Sequence, residues 1–123
     1  VTGKKGLGSW GERQAAEYLA RQGYAILESN VHSPYGEIDL VAQCQGVTVF
    51  VEVKTRTSTR FGYPEEAITP RKLEHLLASA QAYLQSHPEL AGDWRIDAIA
   101  IEKSHLDQPP HIVHFENVLN RAV

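Results

Sequence analysis

Two apolar runs, at residues 38–42 and 47–53, flank Gln45-Gly46 and constrain the chain more than any other feature. Joined by a two-residue turn they form an antiparallel hairpin, in which Ile38/Val53, Leu40/Val51 and Ala42/Val49 share one wholly apolar face. The other face then carries Glu37/Lys54, Asp39/Glu52 and Val41/Phe50. Carboxylates directly opposite each other are destabilising unless a cation or a proton intervenes. A divalent metal supplies the missing charge on this reading. A three-residue turn would instead put Asp39 and Glu52 on opposite faces, and the unbroken apolar face favours the two-residue register.

Around that hairpin the periodicities predict a mixed sheet between helices. Residues 9–22 are helical, with Ala15, Ala16 and Leu19 as a narrow apolar stripe and Gly23 as terminator. Strands follow at Tyr24 to Glu28, Glu37 to Gln43 and Val47 to Lys54, and residues 55–68 form a polar loop. Thr69 and Pro70 open a second helix as N-cap and first helical residue, with Leu73, Leu76, Leu77, Ala80 and Leu84 on its apolar face. It stops near His87-Pro88. A fourth strand spans Trp94 to Glu102 and a short edge strand His111 to Phe115. The expected fold class is α/β, with an αβββαβ core.

The 123 residues, 42% of them hydrophobic, suffice for one core, so a single domain over 1–123 is expected. No run of 18 apolar residues and no apolar leader occurs, which predicts neither membrane association nor export. A lone Cys44 rules out an intrachain disulfide and fits a reducing cytoplasm. The net charge of −3 argues against a generic nucleic-acid coating protein. Its distribution is uneven: residues 54–72 hold five basic against two acidic side chains, while the segments on either side are net negative. The six histidines show no paired helical spacing for zinc and read as surface residues.

Gly11-Glu12, Gly36-Glu37-Ile38-Asp39-Leu40, residues 50–56 (FVEVKTR), Gly62, Pro64, Lys72 and Arg95-Ile96-Asp97, in this order of elements, resemble the PD-(D/E)xK nuclease superfamily. The resemblance is closer to the uncharacterised YraN-like bacterial family (UPF0102), akin to archaeal Holliday-junction resolvases. It covers roughly residues 8–102, with Ile38 standing where the superfamily motif carries its proline. It implies a restriction-endonuclease-like fold and Mg²⁺-dependent phosphodiester hydrolysis, with Mn²⁺ as a plausible substitute.

Residue chemistry and resemblance together nominate a site. Asp39 and Glu52 are expected metal ligands, because Mg²⁺ takes one or two carboxylates and fills its shell with water and phosphate; the Val53 carbonyl adds a third oxygen. Lys54, on the same strand face as Glu52, orients the attacking water or stabilises phosphorane-like charge, and a cross-strand pair with Glu37 is its structural alternative. Glu12 has two readings: a water-mediated metal contact, as the resolvases suggest, or the capping box of Ser9-Trp10-Gly11-Glu12. Arg95 and Asp97 read as an ion pair. Arg56, Arg60 and Lys72 are candidate phosphate contacts if the 55–68 loop covers a groove, with Phe61 and Tyr63 anchoring it.

The expected activity is metal-dependent cleavage of nucleic acid, with DNA and branched DNA favoured. The alternative is a noncatalytic nucleic-acid-binding or protein-interaction module on the same fold. A homodimer is expected only by analogy with resolvases.

Overall fold

The computed structural model of the chain describes residues 9–56, 68–103 and 108–121. Arg60, Phe61, Gly62, Tyr63 and Pro64 lie outside them. The elements run α1 (Trp10–Arg21), β1 (Ala25–Ser33), β2 (Gly36–Cys44), β3 (Val47–Arg56), α2 (Pro70–Ser86), a 3₁₀ turn (Pro88–Leu90), β4 (Trp94–Glu102), β5 (His111–Phe115) and α3 (Val118–Arg121). The five strands form one sheet in the order β1-β2-β3-β4-β5. β1, β2 and β3 pair as an antiparallel meander, β4 lies parallel to β3, and β5 returns antiparallel. The expected α/β class and mixed sheet are borne out, and α2 is the crossover that parallel pairing of β3 with β4 requires.

Local chemistry sets the helix ends. Ser9 caps α1 by accepting from the Glu12 N–H at 3.1 Å, and Thr69 caps α2 by accepting from the Lys72 N–H at 3.1 Å. The β2–β3 turn is the expected two-residue one: Gln45 and Gly46 both have positive φ, 52° and 82°, as a type I′ hairpin needs.

The sheet is covered on both faces. α2 packs Leu73, Leu76, Ala80 and Tyr83 onto Ile38, Val41, Phe50, Ile96 and Ala98. α1 packs Ala15, Ala16 and Leu19 onto Leu40, Ala42, Val49, Val51, Ile99 and Ile101. Burying these side chains from water, at roughly 1.5–3 kcal/mol for each large one, is the main favourable contribution to folding.

The structure corrects the hairpin reading in one respect. The expected register holds from Cys44↔Val47 to Leu40↔Val51, but Ile38 does not share a face with Leu40. Ile38 packs in the α2 cluster and Leu40 in the α1 cluster, so β2 changes face across Asp39. On the neighbouring strand, Ser29 pairs with Leu40 and Val31 with Ile38, and Asn30 between them is left-handed, with φ 53°. β1 therefore runs on to Ser33, five residues past the expected end at Glu28. A left-handed residue interrupts the period-two pattern by which a strand is read.

Candidate active site

Asp39 lies where the β2–β3 ladder opens. Its Oδ2 accepts the Val53 N–H at 2.8 Å, so a side chain takes over a donor on the facing strand. This fixes the carboxylate against β3 and leaves it further lone pairs for a cation. Glu52, one residue before Val53, is buried at 4% exposure. Two ammonium groups converge on its Oε2: Lys72 at 3.1 Å from the first turn of α2, and Lys54 at 3.8 Å from β3.

Charge in this cluster is under-compensated despite both lysines. Burial pushes the Asp39 carboxyl above its ordinary value, more than the Val53 N–H, Lys72 and Lys54 pull it down. Glu52 is raised likewise, by burial first and then by the Asp39 charge, with Lys72 and Lys54 opposing. The two acids destabilise each other's charged forms, as the hairpin pairing anticipated, although Asp39 faces Val53 N–H rather than sitting in a regular pair with Glu52.

Glu12 enters from the opposite layer. Its backbone N–H is capped by Ser9, and a hydrogen bond from Ser9 backbone to its side chain completes the capping box. The capping reading is borne out, yet it does not exhaust the residue. Glu12 Oε1 is buried and, among the described residues, is the side-chain oxygen left without a hydrogen-bond partner. Burial and the nearby Asp39 charge raise its carboxyl, with Glu37 adding to them, more than hydrogen bonds from the Asn30 side chain and the Ser9 backbone lower it. An orphaned carboxylate oxygen close to a second carboxylate is a polarity that a cation, a water or a proton resolves. Gly11 makes this approach possible, because a Cβ there would overlap Thr55 Oγ1 on β3.

The remaining sequence candidates fall as follows. The Glu37–Lys54 pair is not formed: Glu37 is exposed and faces His32 at 3.3 Å, while Lys54 turns to Glu52. The open ladder at Asp39 accounts for this, since cross-strand neighbours exist only where strands stay paired. Arg56 ends β3, two residues beyond Lys54. Lys72, nominated for phosphate, lies on Glu52 itself. Sequence reasoning missed that contact, although Thr69-Pro70 places Lys72 in the first turn of a crossover helix that starts just beyond β3.

Arg95 and Asp97 form the expected ion pair at 2.9 Å, set in a larger network. Asp97, fully buried, also takes His114 Nε2 at 2.7 Å and the Asn117 N–H at 2.9 Å. Tyr18 hydroxyl meets His114 Nδ1 at 3.1 Å, and Arg95 donates to Tyr24 hydroxyl at 2.7 Å. The surface reading of His114 is thereby corrected: α1 covers β5 and shields the ring, leaving 8% of the side chain exposed.

The donor set suits a hard cation. Among the described residues no group of three or more His, Cys, Asp or Glu side chains is gathered tightly enough to hold a metal unaided. Asp39 and Glu52 are the two-carboxylate complement that Mg²⁺ accepts while keeping several waters, and the orphaned Glu12 Oε1 stands near as a partner for one of them.

The family model described as uncharacterised protein family UPF0102 matches residues 11–101. A UPF0102 protein of Syntrophomonas wolfei is 54% identical over 95 residues, covering 77% of this chain and 83% of its own. Those of Dehalococcoides mccartyi and Herpetosiphon aurantiacus are 42% and 43% identical, and in each comparison 94% of both chains is covered. The matched segment carries every described residue of the candidate site.

Proposed function

The chain belongs to the uncharacterised protein family UPF0102, and we propose that it is a metal-dependent nuclease that hydrolyses phosphodiester bonds in DNA, with branched DNA as the preferred class. One observation carries the reading: where the hairpin opens, a half-buried Asp39 and a buried Glu52 both have raised proton affinity although two lysines converge on Glu52. Structural acids are ordinarily neutralised by their neighbours, as Asp97 is, whereas acids whose proton affinity stays raised beside cations are candidates for a working site.

Asp39, Glu52 and the Val53 carbonyl would hold Mg²⁺, or Mn²⁺ in its place. When bound, the ion polarises the scissile phosphate and lowers the pKa of a water. Lys54, its ammonium 3.8 Å from Glu52 Oε2, would orient an attacking water and stabilise the negative charge that accumulates on the phosphoryl oxygens. Glu12, through its unpartnered Oε1, would accept a hydrogen bond from a water of the site. Arg56, Arg60 and Lys72 contact the nucleic-acid backbone. A two-fold pair of chains supplies the two sites that cutting both strands of a branch needs. Among the described residues no helix is long and apolar enough to cross a membrane, and the free Cys44 suits a cytoplasmic setting.

The test is cleavage of four-way-junction, flap, duplex and single-stranded DNA in Mg²⁺ by the wild type and by Asp39→Ala. Cleavage that the substitution abolishes supports the reading. Equal cleavage by both proteins assigns it to a contaminant. Metal-independent binding without cleavage of any substrate replaces the nuclease with the noncatalytic module, the alternative that the net charge of −3 favours.

A further inference from the structure

Lys72 and Lys54 are not equivalent. Both ammonium groups address one atom, Glu52 Oε2, but Lys72 does so at 3.1 Å and Lys54 at 3.8 Å. The nearer is within charge-assisted hydrogen-bond range and the farther is not. Lys72 is also the strongest cationic influence on both acids, ahead of Lys54 at Asp39 and at Glu52. Its backbone is fixed, because Thr69 caps its N–H, whereas its side chain is 41% exposed and keeps a path outward. Glu52 has no such freedom at 5% side-chain exposure.

We infer that Lys72 is a built-in competitor of the divalent ion, a tethered cation held on Glu52 Oε2 that metal binding must displace. The inference rests on the metal-dependent reading above and deepens it. A cation on Oε2 and a divalent ion on the same carboxylate repel each other, and the burial of Glu52 limits the screening of that repulsion. The flexible four-carbon stem lets the ammonium leave without moving α2. Once displaced it stands beside the phosphate that the site receives. Lys72 therefore sets the metal concentration at which the site loads, and couples loading to the arrival of positive charge at the substrate.

The experiment is calorimetric titration of MgCl₂ and MnCl₂ into the protein without nucleic acid, at pH 7.5 and low salt. Wild type, Lys72→Met, Lys72→Gln and Lys54→Met are compared, with circular dichroism confirming the fold. The two Lys72 variants are expected to bind metal about tenfold more tightly, equivalent to about 1.4 kcal/mol, and Lys54→Met to change less. Unchanged or weaker binding by both Lys72 variants overturns the inference, because Lys72 then only orients Glu52. A larger effect at Lys54 overturns it as well. Failure of wild type and every variant to bind either ion overturns the metal-dependent reading itself.

Discussion

Replacing Gly11 by alanine should destabilise the protein, although alanine is the better helix former. An alanine Cβ would overlap Thr55 Oγ1 and lie 3.3 Å from Thr55 Cβ and 3.8 Å from Val53 Cγ1. Turning the threonine hydroxyl away leaves the Cβ contact tight, so the helix must lift from β3. Overpacking of this kind costs about 1–3 kcal/mol. The gain in helix propensity offsets less than about 1 kcal/mol of it in a first turn. The net loss is about 1–2 kcal/mol, or about 1 M in urea midpoint at a slope typical of small domains. Thr55→Ala removes Oγ1 but keeps Cβ, so Gly11→Ala in that background should cost less, with a coupling of about 1 kcal/mol in a double-mutant cycle. Urea denaturation of the four proteins measures it. A neutral or stabilising Gly11→Ala, or an equal cost in both backgrounds, would refute close approach as the reason for the glycine. Because Glu12 follows Gly11, the displaced helix should also withdraw the Glu12 carboxylate, with its unpartnered Oε1, from Asp39.

Three further outcomes are expected. Asp97→Ala should cost about 3–5 kcal/mol in chemical denaturation by stranding Arg95 and the Asn117 N–H, and a loss below about 1 kcal/mol would contradict the network. Although burial raises the Asp97 carboxyl, His114, Arg95 and the Asn117 N–H hold it below its ordinary 3.8; the stability this gives is present above pH 3.8 and lost as pH falls through the depressed value. Asp39 has the opposite sign: its carboxyl is raised from 3.8, so ionising it burdens the fold as pH rises through the raised value. Asp39→Asn should therefore be more stable than wild type at pH 7.5 and lose that advantage below pH 3.8; urea midpoints at the two pH values decide it, and an advantage that persists in acid would count against the assignment. Tyr83 donates to Glu28 Oε1 at 2.9 Å, and burial with that bond pushes its hydroxyl up to about 12. In an alkaline absorbance titration Tyr83→Phe should remove a tyrosinate transition near pH 12 and cost about 1 kcal/mol; an unaltered titration would remove Tyr83 from that bond.

What the sequence made legible was local. Ser9 and Thr69 mark helix starts because a cap needs only three following residues, and Gln45-Gly46 fixes a hairpin because its turn and the alternation beside it agree. The nearby acids Asp39 and Glu52 were visible as misplaced charges for the same reason. Legibility ended where partners are distant or a period breaks. Asn30 is left-handed on β1 and β2 changes face at Asp39 beside it, neither of which a count of alternating residues reveals. Lys72 reaches Glu52 across a crossover, and His114 reaches Asp97 and Tyr18 between two strands and a helix. Tyr83 joins the α2 face with its hydroxyl on Glu28, although leucines defined that face in the periodicity. Each depends on packing between elements rather than on propensity within one.

Contrast among the buried acids bears most directly on function. Burial raises the carboxyls of Glu12, Asp39, Glu52 and Asp97 alike, and is the largest influence on each. At Asp97 a guanidinium, an imidazole and a backbone N–H outweigh it, and the carboxyl ends below its ordinary value. The fold can therefore build a satisfied buried acid, on the strand beside β3. Glu52 has two ammonium groups and Asp39 a backbone donor, yet both remain raised, and Glu12 keeps an oxygen without a partner. Three under-compensated carboxylates from α1, β2 and β3 lower the stability of the fold, which a purely structural role does not explain. The same arrangement is what a site needs if its remaining positive charge arrives with the ligand, and the metal titration of the Lys72 variants addresses that charge directly.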